Sequence, residues 1–244
     1  MNRALQKNNA VVGDPVGEET LQIMSHAPRY NRWVAHLIQP HLGNRVLEVG
    51  AGIANMTPFL LPREYVVATD PDPAYLAVLE EKMRKEGSVA VRSLKLPNLS
   101  ESWKDEQLDT AVLLNILEHV EEDQESLTNL GRILTPGGRI VIFVPAVPAL
   151  HGSLDLALSH FRRYSASQLT GMLEKAGLKV QAMRYCNFVG MFGWWFYSRI
   201  AKRQVLPSRQ VRIFDLMVPI LSRIERLIPP PIGQSLLAVG RKEA

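Results

Sequence analysis

Apolar and polar positions alternate along this chain in blocks that predict a parallel sheet covered by helices. Short apolar runs end near residues 49, 70, 94, 114 and 144, and segments with helical spacing separate them. A further run at 178–185 predicts a sixth strand, and 235–240 is the best candidate for another. This alternation is typical of a doubly wound α/β sheet, in which ligands bind beyond the carboxyl ends of the strands.

The N-terminal part precedes the first strand. Residues 1–17 are polar and punctuated by glycine and proline, which predicts a flexible N-terminus. Between residues 18 and 42, the spacing of Leu21, Met24, Trp33 and Leu37 predicts two short helices that are broken near Pro28.

A glycine turn follows the first strand. Gly50-Ala51-Gly52 leaves backbone accessible to a ligand, and residues 55–60 are expected to begin a helix whose free amides face that ligand. A dinucleotide fingerprint would require a third glycine where Asn55 stands. Asp70, twenty residues after Gly50, closes the second apolar run, where a carboxylate can bind both hydroxyls of a ribose.

With Glu48-x-Gly50-x-Gly52 and Asp70, the chain resembles the class I S-adenosylmethionine-dependent methyltransferases. The resemblance implies S-adenosylmethionine as cofactor and S-adenosylhomocysteine as product, with Glu48 at the methionine end and Asp70 at the ribose. It also implies a glycine where Ala54 stands, and a tyrosine such as Tyr30 that reaches the cofactor carboxylate; packing on the sheet is an equal alternative for Tyr30. The expected cofactor-binding residues are Tyr30, Glu48, Gly50, Ala51, Gly52, Asp70, Pro71, Ser93, Leu94 and Asn115.

Two further blocks extend the resemblance over residues 18–185. Residues 115–120 and 134–138 are similar to a block shared by small-molecule methyltransferases, including those of quinone and biotin-precursor synthesis. The family implies a Rossmann-like, seven-stranded, mostly parallel sheet whose last strand is antiparallel. Because the candidate for that strand lies about fifty residues after the sixth, we expect one methyltransferase domain over 18–244 with a helical cap insertion at 186–232.

Glu118 and His119 follow the fourth strand. His119 could be a general base, a substrate contact or a structural residue. In some quinone-type relatives the equivalent pair, with another acid three residues earlier, is thought to hold a metal. Here that earlier residue is Asn115, and an amide weakens a site for a hard cation, so no metal is expected.

A second group of polar residues lies in the connection at 145–165, which we interpret as a lid. Ser165 and Gln168 form a capping box that marks the next helix start, so this loop is long. The loop resembles a methyltransferase subgroup with an Asp and then Gly-His-x-Arg-Arg-Tyr, with Ser159 in place of the glycine. The expected catalytic residues are His119, His151, Asp155, His160 and Tyr164, and we expect Asp155 and His160 to form a hydrogen-bonded pair over the acceptor. Arg162 and Arg163 would bind an anionic substrate group or, alternatively, acids and helix ends within the fold.

Composition and charge narrow the class of protein. A single cysteine, Cys186, excludes a disulfide framework. The net charge of +4 is uneven: ten Lys or Arg and three acids after Met183 give +7, so the remainder carries −3, which argues against a chain-wide nucleic-acid surface. We find neither a signal-peptide pattern nor an apolar run of the ~20 residues that span a bilayer, and we expect a cytoplasmic protein.

The insertion allows three interpretations. It could cap the crevice, with Trp194 and Trp195 forming walls for a lipophilic acceptor; it could contact a membrane peripherally through 188–226; or it could form a homodimer. We therefore expect methyl transfer to an O or C atom of a small lipophilic acceptor, such as a prenyl, polyketide or quinone-like molecule. The alternatives are an S-adenosylmethionine-binding protein without methyl transfer and a nicotinamide-dependent oxidoreductase.

Overall fold

A computed structural model of the chain describes residues 15–243. Its nine α-helices are α1 Pro15–Ser25, α2 Pro28–Ile38, α3 Thr57–Leu60, α4 Pro73–Met83, α5 Asp123–Ile133, α6 Ser153–Ala157, α7 Ala166–Lys175, α8 Phe188–Trp195 and α9 Ser208–Leu227. Its strands are β1 Arg45–Val49, β2 Tyr65–Asp70, β3 Val89–Ser93, β4 Thr110–Leu114, β5 Arg139–Pro145, β6 Leu178–Cys186 and β7 Ser235–Lys242.

The seven strands form one sheet in the order β3-β2-β1-β4-β5-β7-β6. β1 to β5 are parallel to their neighbours, and β7 is antiparallel to both β5 and β6. The predicted doubly wound sheet with one antiparallel strand is therefore confirmed.

Alternate residues of the central strands pack into layers on opposite faces of the sheet. Leu47 and Val49 of β1 join the layer under α5 and α7, whereas Val46 joins Val34 and Ile38 of α2 on the other face. Because the central strands are buried on both faces, their near-continuous apolar sequence follows directly from the architecture.

Three sequence expectations need correction. The helix after the glycine turn is a single turn, α3, because Leu61 is extended (φ −88°, ψ 159°) before Pro62, and the residue before a proline disfavours helix. The lid at 145–165 contains a 3-10 turn, Pro148–Leu150, and the short α6. Of the expected N-terminal lead-in, residues 1–14 lie outside the described part, and α1 begins at Pro15.

The insertion between β6 and β7 is helical, as predicted. α8 continues into a π-turn at Phe196–Ile200, and α9 packs along α2. The Glu225 side chain of α9 accepts hydrogen bonds from the amides of Asn187 (2.9 Å) and Phe188 (2.8 Å), which joins α9 to the start of α8. Within residues 15–243, no helix is long and apolar enough to cross a membrane.

Candidate functional site

Four parallel strands end side by side at one edge of the sheet. Val49 of β1 pairs with Thr69 of β2 and Leu113 of β4, and Asp70 pairs with Ser93 of β3. The predicted cofactor residues that follow these strands, Gly50, Ala51, Gly52, Asp70, Pro71, Ser93, Leu94 and Asn115, are therefore gathered at this edge.

The glycine turn uses a backbone conformation that suits glycine. Gly50 and Gly52 have φ of +70° and +54°, and a Cβ on Gly50 would overlap the Ile116 side chain. Ala54, where the resemblance implies glycine, also has a positive φ of +63°. The local backbone thus keeps the left-handed geometry and leaves no side chain at Gly50 and Gly52.

Asp70 is bound to the glycine turn. Its Oδ2 accepts a hydrogen bond from the Gly52 amide at 3.0 Å, and its Oδ1 accepts one from the Asp72 amide at 3.0 Å. Burial raises the pKa of Asp70, although these two amides oppose that rise. Since a carboxylate has about four acceptor positions, Asp70 retains the capacity to bind ribose hydroxyls beside the turn.

Glu48 is buried directly before the turn. Burial raises its pKa to about 7, against the opposing effect of the Thr57 hydroxyl. Among residues 15–243 its Oε2 has no hydrogen-bond partner. Glu48 is thus an acid whose charge depends on what binds beside it.

Helix α1 covers the turn. The Asn55 side-chain amide donates a hydrogen bond to the Leu21 carbonyl at 2.9 Å, and a Cβ on Gly52 would lie 3.2 Å from the Leu21 side chain. Asn55, which breaks the dinucleotide fingerprint, therefore attaches the first helix to the cofactor edge.

Two residues expected to bind the cofactor have partners within the fold. Tyr30 faces Ser235 and Asn187 near the β7 end of the sheet, and burial raises its pKa to about 12. Its ring packs against Trp33 and Phe214, so the packing alternative is correct. The Leu94 amide donates to the Asp70 carbonyl at 3.3 Å, so this amide is already used within the fold.

Two histidines meet at the same edge. The rings of His119, which is exposed, and His160, which is buried, pack edge to face with centroids 4.6 Å apart. The predicted pair of Asp155 and His160 is present, with 3.1 Å between Oδ1 and Nδ1. Because a carboxylate only accepts, the Nδ1 of His160 donates in this contact, and in a neutral ring Nε2 is then the basic nitrogen.

Asp155 connects the lid to the insertion. It also accepts hydrogen bonds from the Gly152 amide (3.0 Å), Arg163 Nε (2.6 Å) and Trp194 Nε1 (3.1 Å). Burial alone would raise the pKa of Asp155, but the His160 hydrogen bond and the Arg163 charge outweigh it and lower the pKa to about 2. Asp155 is therefore an ionised, fully buried anchor and not a proton donor.

Two lid residues that were expected to act on substrate are structural. Arg163 is buried against Asp155, donates to the Ala146 carbonyl at 2.9 Å and lies 4.7 Å from the Trp194 ring. Tyr164 is 2% exposed, and its hydroxyl donates to Asp123 Oδ2 at 2.9 Å. The predictions for Arg163 as an anion-binding residue and Tyr164 as a catalytic residue are therefore wrong.

The remaining lid and insertion residues are more accessible. Arg162 forms an ion pair with Asp123 at 2.7 Å but stays partly exposed. His151 is half-buried, with Nε2 3.1 Å from the His160 carbonyl, where it supports the loop. Trp194 is half-buried behind Asp155, whereas Trp195 is half exposed.

Sequence reasoning missed the environment of Glu118. Its carboxylate is fully buried, and neither oxygen has a hydrogen-bond partner within the described residues. Burial raises the pKa of Glu118 to about 8.

Glu118 also belongs to a group that could hold a metal ion. Ligand atoms of Glu118, His119 and His160 lie within 4.8 Å of one another, so His160 takes the place that the resemblance gave to Asn115. No local pattern reveals this group, because the Phe161 amide joins the lid to the Glu118 carbonyl across 43 residues.

Comparison with known proteins was made for the sequence and the fold. A family model described as a methyltransferase domain matches residues 47–140. The chain is 32% identical over 120 residues to a phosphatidylethanolamine N-methyltransferase of Cereibacter sphaeroides, a match that covers 49% of this chain and 58% of that protein. It is 29% identical over 120 residues to a demethylmenaquinone methyltransferase of Streptomyces griseus, covering 49% and 50%. The chain thus spans less than two thirds of the length of these relatives.

Solved structures share the fold at low sequence identity. A chain from the complex between the Haloferax volcanii Trm112 methyltransferase activator and a methyltransferase matches with a TM-score of 0.65 at 14% identity, covering 96% of this chain and 100% of that one. The N-methyltransferase NodS of Bradyrhizobium japonicum, solved with S-adenosyl-L-homocysteine, matches with a TM-score of 0.55 at 14% identity, covering 93% and 87%.

Proposed function

Because the chain belongs to the class I S-adenosylmethionine-dependent methyltransferases, a family of enzymes with S-adenosylmethionine as cofactor, we propose that it methylates a small lipophilic acceptor. The hydrogen bond between Asp70 and the Gly52 amide carries this proposal. It puts a carboxylate with free acceptor positions beside a turn that can lie directly against a ligand.

The cofactor would be held by residues that fit its chemistry. Asp70 would bind the ribose hydroxyls, the turn at residues 50–52 would lie along the nucleoside, and Glu48 would face the positively charged methionine end. Glu48 Oε2, which lacks a partner among residues 15–243, is suited to a cationic group. When bound, S-adenosylmethionine supplies an electrophilic methyl group on a sulfonium.

The protein's own residues would align the acceptor and manage its proton. Asp155 orients His160 through Nδ1, so in its neutral form this residue would take, on Nε2, the proton that an O–H or C–H acceptor loses as its bond to the methyl carbon forms. His119 packs against that ring and is exposed at the crevice. The Phe161 amide ties the lid to the Glu118 carbonyl beside this space, so the lid would limit the access of water to it.

A lipophilic acceptor, such as a prenyl, polyketide or quinone-like molecule, fits the surroundings of this site. Phe161 of the lid is 53% exposed. Trp194 donates a hydrogen bond to Asp155, which attaches the aromatic helix α8 to the lid. Two relatives are named for phosphatidylethanolamine and demethylmenaquinone, both lipophilic molecules. We propose that the protein is cytoplasmic and transfers the methyl group to an O or C atom of such an acceptor. It would reach the acceptor at a membrane surface, which residues 188–226 contact. In this proposal these residues do not form a homodimer contact.

Cofactor binding and methyl transfer are tested separately. S-adenosylhomocysteine should raise the melting temperature of the wild type, because a ligand that binds only the native state stabilises it, and NAD should not. Asp70→Ala should lose at least 10-fold in affinity for S-adenosylhomocysteine, whereas Asp105→Asn, at an exposed acid outside the crevice, should retain it. Asp70→Asn keeps one acceptor oxygen, which can still accept the hydrogen bond from the Gly52 amide. This variant therefore distinguishes a loss of ribose binding from a disturbance of the glycine turn.

Methyl transfer is measured with methyl-labelled S-adenosylmethionine and a bacterial lipid extract. Label should appear in the lipid fraction with the wild type and should decrease at least 10-fold with His160→Gln, while that variant still binds S-adenosylhomocysteine. Stabilisation by NAD alone would support the oxidoreductase alternative. Tight cofactor binding without label in any fraction would support a binding protein and contradict the proposed activity.

A further inference from the structure

Helix α9 has a buried face and, opposite to it, an exposed apolar face. One face packs along α2 and buries Asp215, Val218 and Glu225. The other carries an exposed stripe with the spacing of one helical face: Ile213, Leu216, Ile220, Ile224 and Leu227 are 49%, 62%, 63%, 51% and 79% exposed. Surface helices of soluble proteins normally turn polar residues outward, so this stripe requires a partner.

Exposed apolar residues also occur on α8 and the π-turn, which Glu225 joins to α9. Large side chains there are also exposed, namely Phe188, Val189, Phe192, Trp195, Phe196 and Ile200. Ile228 extends the surface past the end of α9. We call this surface, on residues 188–228, the docking face.

All exposed charge of the insertion is positive. Its exposed cations are Arg199, Lys202, Arg203, Arg209, Arg212, Arg223 and Arg226. Its two acids, Asp215 and Glu225, are buried: Asp215 accepts hydrogen bonds from Arg29 and the Tyr30 amide, and Glu225 binds the start of α8. In the described part of the chain, Arg209, Arg212, Arg223 and Arg226 form no ion pair, so their charge is available to a partner.

The charge selects among the partners that could cover the docking face. A symmetric contact with a second copy would bring the same cations together, and like charges at an interface oppose association. Nucleic acid would satisfy the cations but not the exposed apolar stripe. An anionic bilayer satisfies both, because apolar and aromatic side chains enter the interface while arginines meet phosphate groups.

We propose that the docking face lies on an anionic lipid bilayer, with α9 parallel to the membrane surface. This inference rests on the proposed lipophilic acceptor and names the surface from which that acceptor is taken. Leu216, Ile220 and Leu227 enter the acyl boundary, and Arg212 and Arg223, which share one edge of the stripe, bind lipid phosphates.

The docking face is continuous with the wall of the crevice. Trp194 donates to Asp155, while the next residue, Trp195, is half exposed on the docking face. Ser153 of α6 donates to the Ser198 carbonyl at 2.9 Å, and Arg199 donates to the Ala149 carbonyl at 2.8 Å. A lipid that leaves the bilayer along α8 therefore meets the lid that holds His160.

Vesicle co-sedimentation tests the proposal with the full chain. The wild type should sediment with vesicles of phosphatidylcholine and phosphatidylglycerol, and less with phosphatidylcholine alone or in high salt. Leu216→Glu with Ile220→Glu should reduce binding at least 10-fold. Ala77→Glu, at an exposed position of α4, should not change it. Arg212→Gln with Arg223→Gln should lose about 30-fold on the anionic vesicles, at about 1 kcal/mol per arginine.

Other readouts make the result decisive. The docking-face variants should keep the wild-type affinity for S-adenosylhomocysteine, so failed membrane binding and a failed cofactor site are distinguishable. Light scattering should show one copy per particle in every variant. If the wild type binds neither kind of vesicle, the membrane assignment is overturned in favour of another partner. If the wild type is a dimer that Leu216→Glu with Ile220→Glu dissociates, the docking face is a contact between two copies of the chain.

Discussion

At the scale of single residues, the environment separates acids that the sequence presents as equivalent. Asp155 has its pKa lowered to about 2 by His160 and Arg163 despite burial, whereas burial raises the pKa of Glu118 to about 8. At neutral pH, Asp155 is therefore ionised and orients His160, while Glu118 largely retains its proton. The sequence identified Asp155 and His160 as a pair but could not reveal the protonation of Glu118, because that depends on residues packed from distant segments.

Glu48 should make cofactor affinity depend on pH. Its pKa of about 7 means that it is largely neutral at pH 6 and largely ionised at pH 8. Because the ionised form attracts the cationic methionine end, affinity for S-adenosylmethionine measured by calorimetry should rise about 10-fold over this range, at about 1.4 kcal/mol per pKa unit. Glu48→Gln should flatten the profile, and Glu86→Gln, at an exposed acid after α4, should leave it unchanged. An equal slope in Glu48→Gln and wild type would assign the dependence to another group.

At the scale of elements, local patterns predicted most helices and strands, and the errors have local or tertiary causes. The Ser165–Gln168 capping box is formed and starts α7, and the break near Pro28 separates α1 from α2. The helix expected after the glycine turn ends at Leu60 because Pro62 follows shortly afterwards. α6 was missed because its start depends on the Asp155 carboxylate bonding the Gly152 amide, within a segment that reads as a loop.

The insertion leaves the sheet at Cys186 and returns to it after Gly233, and we call these two adjacent segments its neck. The neck should tolerate no added side chain at Gly233. Gly233 is buried where the chain returns to β7, and a Cβ there would overlap the backbone of Cys186 at the other side of the neck. Because backbone atoms cannot rotate away, Gly233→Ala should lower the free energy of unfolding by about 1–3 kcal/mol.

Gly193→Ala is the matched control for the neck. Gly193 is an exposed residue of α8, and a Cβ there meets no atom within 4 Å. Alanine in a helix is more stable than glycine, so this variant should gain up to about 1 kcal/mol. Chemical denaturation of both variants gives the comparison. Equal stability of Gly233→Ala and wild type would mean that the neck is wider than the Gly233–Cys186 approach indicates.

At the scale of the whole molecule, topology explains which parts of the site the sequence could reveal. The placement of Gly50, Asp70 and Asn115 at one edge was predictable, because the carboxyl ends of parallel strands share that edge whatever the side chains do. The roles of Arg163 and Tyr164 were not predictable, since they depend on Asp155 and Asp123, which only the folded chain brings to them. The same holds for Tyr30, whose neighbours Ser235 and Asn187 come from the far end of the sequence.

The buried acids should make the stability of the whole chain decrease as pH rises. Burial raises the pKa of Glu48 to about 7 and of Glu118 to about 8, so the folded state keeps protons that the unfolded state has released above about pH 4.5. Their stabilisation is complete below the unfolded pKa and is lost as pH rises through 7 and 8. Asp155 acts in the opposite sense, but its contribution is lost only as pH falls below 3.8 towards 2, outside this range.

Thermal unfolding without cofactor between pH 6 and 8.5 tests this linkage. One such group contributes at most about 1.4 kcal/mol per pH unit between its two pKa values. Each kcal/mol corresponds to roughly 2–4 °C for a chain of this size, so the wild-type melting temperature should fall by several degrees. Glu118→Gln removes a titrating group that the fold holds neutral and should reduce this slope, whereas Glu86→Gln should retain it. A wild-type melting temperature that rises with pH would mean that Glu118 is ionised in the folded protein, as it would be if a cation stably occupied the space between it and the two histidines.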